Sequence, residues 1–287
     1  MVDMLILGMG YTGVRLSSTL ARRGWHVVGV KRESTGTDIL SFDDEATVKN
    51  HIMRATHILS SVPPDRAGED PVLARYGADI AASNAGWIGY LSSTGVYGDT
   101  GGAWVDESAP VGTGRRIARA QADLAWQGLR NDVRAFRLPG IYGPGRSAVD
   151  RVREGEAHRI DLSGQVFSRV HVDDIVAAII ASFDAPAGVY NIADDLPCSQ
   201  NAVIEYACAL LGMPWPPLQS MDEAGLSDQA RAFYGENRRV ANGRAKRLLR
   251  WKPQYADYRA GLRACLAEQV PFLRDQNAKS PAQGRAF

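Results

Sequence analysis

The sequence predicts an α/β fold built on a parallel sheet, and three observations carry that expectation. Short β-rich runs alternate with helical patterns through the first half of the chain, which is the signature of βαβ units. The first of these runs, "MLILGMG", breaks into Gly-x-Gly-x-x-Gly at Gly8, Gly10 and Gly13 and opens a helical pattern, the local context a dinucleotide-binding turn requires. Finally, 287 residues at 45% hydrophobic and 23% charged suffice for one large α/β unit or two modest domains without disulfide staples.

The elements follow in order. "MLILGMG" reads as a strand, and a helix runs from about Tyr11 to Arg23. "WHVVGVKR", "ATHILSSV" and "WIGYLSST" read as further strands, and "DVRAFRLPG" is another after the helix in "RRIARAQADLAWQGL". Beyond Gly143 the texture changes. "GPGRSAVDRVREGE" reads as loop and helix, and "FSRVHVDDIVAAIIASF" as a strand running into an amphipathic helix. "GVYNIAD" is one more strand, followed by a helix in "SQNAVIEYACALLG", a Pro-rich loop "MPWPPLQ" and the basic segment "ENRRVANGRAKRLLRWKP". The polar end "RDQNAKSPAQGRAF" reads as a frayed tail.

Composition narrows the function classes. A formal charge of +1 gives no reason to expect nucleic acid or an anionic membrane as partner. The longest apolar stretch, "IVAAIIASF", is too short to span a bilayer, and the start lacks the pattern of a signal peptide. Cys198, Cys208 and Cys265 form no Cys-x-x-Cys, and the five histidines are scattered, so neither a disulfide framework nor a metal site is expected. The default setting is the cytoplasm, with a small-molecule substrate and a monomer or homodimer.

In the opening turn, Gly8 permits the tight bend and Gly10 lets backbone N–H groups approach a pyrophosphate. Gly13 lets the helix pack closely on the strand, and the helix start at Tyr11 and Thr12 faces the anion. The second strand decides the type of dinucleotide. An NAD site places Asp or Glu near its end to accept from the ribose 2′-hydroxyl. Here that end carries Lys31 and Arg32, cations suited to a 2′-phosphate, with Arg32 able to bind it bidentately. NADP(H) is therefore expected over NAD.

Read together, "YLSSTGVYGD", "FRLPGIYGPGR", "RVHVDDIVAAI" and "GVYNIAD" resemble the extended short-chain dehydrogenase/reductases, the NAD-dependent epimerase/dehydratase family of nucleotide-sugar enzymes. The resemblance runs from Met4 to about Leu262. Members commonly read Gly-x-x-Gly-x-x-Gly, whereas here Leu7 holds the first position and Gly8 follows. The resemblance implies a doubly wound parallel Rossmann sheet with a smaller C-terminal substrate domain. Residues 1–145 would form the dinucleotide-binding domain, with 166–194 returning to it. Residues 146–165 and 195–273 would form the substrate domain, leaving 274–287 as a flexible tail. It also implies that Ser60, Ser61 and Val62 end a strand above the cofactor, and that Phe42 and Asp43 flank the adenine. Ser93 would hydrogen-bond the reacting oxygen, Pro139 to Tyr142 (Ile141 included) would border the nicotinamide, and Arg146 would meet an anionic substrate group. His171 and Asp173 would fix the hinge where the chain re-enters the first domain.

One feature departs from that family. Its members use a Tyr-x-x-x-Lys pair on the helix after the "VYG" strand, but the stretch between Tyr97 and Tyr142 contains neither tyrosine nor lysine. If Asp123 stands for the acidic residue that often follows the pair, the two positions fall on Arg115 and Arg119, on one helical face. Arg119 can serve the nicotinamide ribose as a fixed cation. Arg115 cannot replace the tyrosine, because a guanidinium does not exchange protons at neutral pH, and it is expected to bind an anion. Ser93 or Tyr142 remains as the proton donor. Two readings follow: an NADP(H)-dependent oxidoreductase or epimerase acting on a hydroxyl or carbonyl of a small, nucleotide-sugar-like anion, or a catalytically degenerate NADP(H)-binding sensor of the same fold.

Overall fold

In a computed structural model, residues 2–33, 36, 38–114 and 117–278 are described. In chain order the elements are β1 (Val2–Leu7), α1 (Tyr11–Ala21), β2 (Val27–Lys31), β3 (Ile39–Ser41), α2 (Glu45–Arg54), β4 (Ala55–Ser60), α3 (Pro71–Ala82), β5 (Trp87–Ser93), a 3₁₀ turn (Thr94–Tyr97), β6 (Trp104–Val105) and α4 (Ile117–Leu129). Then come β7 (Val133–Leu138), β8 (Gly140–Tyr142), α5 (Ala148–Arg153), β9 (Arg159–Ile160), β10 (Arg169–His171), α6 (Val172–Ala181) and β11 (Gly188–Asn191). The chain closes with α7 (Gln200–Leu211), β12 (Leu218–Gln219), α8 (Asp228–Tyr234), β13 (Arg239–Val240), α9 (Gly243–Leu248) and α10 (Tyr258–Ala278).

Seven parallel strands form the central sheet in the order β11-β7-β5-β4-β1-β2-β3. The order reverses between β1 and β4, the switch point outside whose strand ends an α/β sheet binds ligands. Alternation along β1 builds a core on each face. Met4 and Ile6 meet Leu16 and Leu20 of α1 and Ile175 and Ile179 of α6, while Leu5 and Leu7 meet Val48, Ile52, Tyr76 and Trp126 of α2, α3 and α4. The sheet is thus covered on both sides, the doubly wound Rossmann arrangement the sequence predicts.

A third cluster, built by Val149, Ile204, Ala207, Cys208, Leu262 and Cys265, joins α5, α7 and α10 beyond the sheet. Three of its boundaries follow from local chemistry. A capping box between Ser147 and Asp150 starts α5, Ser199 caps α7, and Gly212 at φ 64° ends α7 in the left-handed conformation that glycine adopts without strain. The edge strand β3 has no counterpart in the sequence reading. The final helix runs to Ala278, five residues into the stretch expected to be tail, and 279–287 lie outside the described residues. Among the described residues no helix is long and apolar enough to cross a membrane.

Candidate functional site

The ends of β1, β4, β5 and β7 converge on one edge of the sheet, and the glycine turn occupies its switch point. Gly8 has φ 99°, and a Cβ there would stand 2.6 Å from Ser61 Oγ and 2.9 Å from Val62 Cγ2, so only glycine fits. The Ser61 hydroxyl donates to the Gly8 carbonyl at 2.5 Å, and the Ser61 N–H donates to Leu7. Gly13 packs α1 on β1, since its Cβ would meet the Gly8 carbonyl at 2.8 Å. Gly10 is different: a Cβ there would meet nothing within 4 Å. The space over Gly10 is open, and it faces the start of α1, where Tyr11, Thr12 and Gly13 carry N–H groups without intrahelical acceptors. No acidic side chain stands in that first turn. The turn therefore presents donors and a helix N-terminus to a phosphate-bearing ligand.

At the end of β2 the side chains of Lys31 and Arg32 make no hydrogen bond or ion pair among the described residues, and Arg32 is exposed. Both lie at the β2 end beside the turn, whose Gly8 and Met9 N–H groups donate to Val30. The neighbouring Phe42 ring packs edge-on to Tyr76 at 5.3 Å, with the Arg75 guanidinium 4.8 Å over its face. Asp43 is exposed and ion-paired to Arg75. Ser60 is fully buried inside β4, its hydroxyl without a partner among the described residues. It ends β4 beside Ser61, where the sequence reading put it.

A cavity of about 270 Å³ opens between the sheet and the C-terminal elements. It gathers Ser93, Arg119, Pro139, Ile141 and Arg146, which are all sequence candidates. Ser93 ends β5 and its Oγ accepts the Gly95 N–H at 3.1 Å, capping the 3₁₀ turn. That bond uses a lone pair and leaves the hydroxyl proton available for a ligand. Arg119 lies beside the buried phenol of Tyr90, which burial pushes up to about 12 against the pull of that guanidinium. Arg146 makes no side-chain hydrogen bond or ion pair among the described residues and stands 5.7 Å over the Tyr11 ring. The Tyr11 hydroxyl donates to the Pro144 carbonyl at 3.0 Å, and burial raises that phenol to about 12. Arg115 lies outside the described residues.

Tyr142 is not in the cavity. Successive side chains on β8 alternate, so Ile141 faces the cavity and Tyr142 faces the opposite way. Its ring is buried against α10, where a Cβ on Gly261 would collide with it, and it stands edge-on to His171 at 5.2 Å. Burial raises its phenol far above the ordinary value, and the hydroxyl has no partner among the described residues. It is withdrawn as proton donor.

His171 caps α6, its Nδ1 accepting the Asp173 N–H at 3.2 Å, and burial holds the imidazole down to about 4. Asp173 binds Arg15 of α1 through both oxygens, at 2.6 and 3.0 Å, and Arg15 also reaches Glu268 of α10. The pair thus ties α6 to α1 and α10 rather than serving chemistry.

Two arrangements escaped the sequence reading, although Asp123 itself was named there as a marker. Beneath the cavity, Asp123 and Arg137 form a buried ion pair at 2.7 Å. The Ser92 hydroxyl and Gln127 donate to Asp123 at 2.5 and 2.6 Å, and Arg137 donates to the Tyr97 hydroxyl at 3.0 Å, which donates to Asn191 at 2.8 Å. This network fixes the "VYG" turn to β7 and β11. On the cavity's far wall stand Phe167, held by its bridge to Cys198, and Phe233, Glu236 and Arg238, which precede β13 where it pairs with β6. The basic segment after Glu236 was visible as charge, but nothing local told where it would lie.

The comparisons with known proteins agree with this architecture. No family model matches the chain. A functionally unknown conserved protein from Silicibacter pomeroyi DSS is 42% identical, with TM-score 0.86 over 93% of this chain and 99% of that one. Protein YeeZ of Escherichia coli K12 is 27% identical over 254 residues, 78% of this chain and 89% of that protein. A 3-diazoavenalumate denitrifying reductase of Streptomyces sp is 26% identical over 239 residues, 74% and 77% of the two chains. MoeE5 in complex with UDP-glucose and NAD superposes with TM-score 0.74 at 20% identity, covering 94% and 99%. Human epimerase family protein SDR39U1 with NADPH superposes with TM-score 0.73 at 17% identity, covering 94% and 100%. The chain belongs to the family of the Silicibacter protein, within the fold of the NAD-dependent epimerase/dehydratase proteins, which are short-chain dehydrogenase/reductase-like.

Proposed function

We propose that this protein is an NADP(H)-dependent oxidoreductase of the epimerase/dehydratase type, acting on a hydroxyl or carbonyl of a small anionic molecule. The observation that carries the reading is a glycine turn with open space over Gly10 at the switch point of a sheet whose β5 and β7 ends line a cavity with Ser93 and three arginines. The residues present fit a nicotinamide dinucleotide. The turn at Gly8, Gly10 and Gly13 with the start of α1 would hold the pyrophosphate, Ser61 and Val62 would border the chain above it, and Phe42 with Asp43 would flank the adenine. Lys31 and Arg32 would hold a 2′-phosphate, and Pro139 and Ile141 the nicotinamide. When bound, that group supplies hydride chemistry. Relatives of known ligand carry either form of it, NAD in MoeE5 and NADPH in SDR39U1.

The chain's own contribution is positional. The Ser93 hydroxyl offers a proton to the cavity, Arg119 offers a fixed cation at the ribose, and Arg146 anchors the anionic end of the substrate. Arg115 remains a proposed second anion contact. Lacking a phenol–lysine pair, Ser93 does its work unaided, and turnover is expected to be slow. A degenerate cofactor-binding sensor is the second reading, favoured by the absence of tyrosine and lysine between Tyr97 and Tyr142.

Nicotinamide fluorescence titrations with NADPH and NADH test the cofactor assignment. Each charge-assisted contact to a 2′-phosphate contributes about 1.5–3 kcal/mol, so NADPH binds at least about tenfold more tightly. Arg32→Ala removes most of the difference. Equal affinities, or a preference for NADH, end the NADP(H) assignment. Turnover of small carbonyl compounds that is lost in Ser93→Ala separates the enzyme from the sensor.

A further inference from the structure

The far wall of the cavity carries an aromatic face that the fold does not use. Phe167 and Phe233 stack at 4.2 Å with planes 11° apart, and the Tyr234 ring meets them edge-on at 5.6 and 5.8 Å. Phe167 is 7% exposed, as a core ring should be, but Phe233 is 40% exposed and lines the cavity. A large apolar ring held rigidly by two neighbours and left open towards a cavity is a stacking platform.

The charge of the same cavity is one-sided. Arg119, Arg146 and Arg238 line it with a single carboxylate, Glu236, which is ion-paired to Arg238 at 2.8 Å. Arg238 also donates to the Gly98 carbonyl, so it is held in place by the fold. Arg146 has no side-chain hydrogen bond or ion pair among the described residues, and with Arg119 given to the ribose it is the arginine left to take a ligand anion at no cost to an existing bond. Size favours a small ligand. The cavity measures about 270 Å³, just below the roughly 300–1,000 Å³ usual for ligand sites, and a reacting nicotinamide takes part of it. A compact ring fits in what is left, whereas a sugar with a nucleoside diphosphate attached would have to extend out of the cavity.

We propose that the cavity selects a compact aromatic monoanion, with its ring stacked on Phe233 and its anionic group on Arg146. This rests on the oxidoreductase reading for what happens to the molecule, but not for its binding. It departs from the nucleotide-sugar substrates that the family resemblance implies. Phe233 and Arg146 become the specificity determinants, one for the ring and one for the charge.

Calorimetric titration with trans-cinnamate, cinnamamide and UDP-glucose, each with and without saturating NADPH, tests this. Cinnamate is expected to bind about tenfold more tightly than its uncharged amide, with UDP-glucose the weakest of the three. Arg146→Gln brings cinnamate down to the level of the amide. Phe233→Ala weakens both aromatic probes by up to about tenfold. If that variant does not fold, Phe233→Leu keeps the bulk without the ring and is expected to weaken them less. UDP-glucose binding more tightly than cinnamate overturns the proposal, as does cinnamate affinity unchanged in Arg146→Gln or in the folded Phe233 variant. Failure of NADPH to bind overturns the oxidoreductase reading alone, because the cofactor-free titrations still decide what the cavity selects.

Discussion

Replacing Gly10 by valine separates ligand binding from folding in a way that replacing Gly8 does not. Gly10 has φ −82° and ψ −163°, a conformation that valine adopts freely, and a Cβ there would meet nothing within 4 Å. The only folding cost is a poorer residue at the start of α1, about 1 kcal/mol or less. In the bound state the two methyl groups stand where the pyrophosphate must approach the N–H groups of Tyr11 and Thr12. Losing two charge-assisted hydrogen bonds at about 1.5 kcal/mol each removes about 3 kcal/mol, or more than about 100-fold in affinity. Thermal unfolding with and without NADPH reads both effects. At 100 times its dissociation constant the ligand stabilises the wild type by about 2.7 kcal/mol, a rise in Tm of about 4–5 °C. Gly10→Val should unfold near the wild-type temperature and show no rise. Gly8→Ala, whose Cβ would stand 2.6 Å from Ser61 Oγ at φ 99°, should lose stability even without ligand. A Gly10→Val protein whose midpoint still rises with NADPH would refute the placement of the pyrophosphate.

Three further outcomes follow from the buried polar groups. Asp123→Asn leaves the Arg137 charge, 3% exposed, without a counter-ion, and should cost about 3–5 kcal/mol in urea unfolding; a loss below about 1 kcal/mol would mean that the pair is not desolvated. Tyr142→Phe removes a buried hydroxyl with no partner among the described residues, so stability should hold or rise slightly and turnover should not change; a collapse of turnover would restore the tyrosine as proton donor. Burial raises the Asp194 carboxyl from 3.8 to about 8, so the folded state prefers it protonated. Its contribution is fully present below about pH 4 and is lost as pH rises towards 8. Asp194→Asn should therefore flatten the fall in Tm between pH 5 and pH 9, and an unchanged slope would show that the carboxylate is solvated.

How far the sequence reached depended on the range of the interactions. The strand–glycine–helix start was legible because it is local. A continuous apolar run marks β1, the position of Gly8 follows from a positive φ within one turn, and Gly13 follows from contact with its own strand. The cations Lys31 and Arg32 at the end of β2 were legible for the same reason. The edge strand β3 was not, since three half-buried residues carry too little pattern to distinguish strand from loop. The candidate site divided along the same line. Ser93, Pro139, Ile141 and Arg146 sit in motifs that end strands, and the tertiary structure gathers them in one cavity. The sequence shows a tyrosine at position 142 but not its direction, which the pleat of β8 decides: Ile141 turns to the cavity and Tyr142 to α10. Phe233 and Arg238 were beyond local reasoning altogether. They arrive through the parallel pairing of β13 with β6, more than 130 positions apart in the chain. Local chemistry along the chain therefore determined the sheet, the glycine turn and the charge at the end of β2. Only the packing of distant segments decided what the cavity presents to a substrate, because hydrogen bonding and burial between residues far apart leave no periodic mark on the sequence.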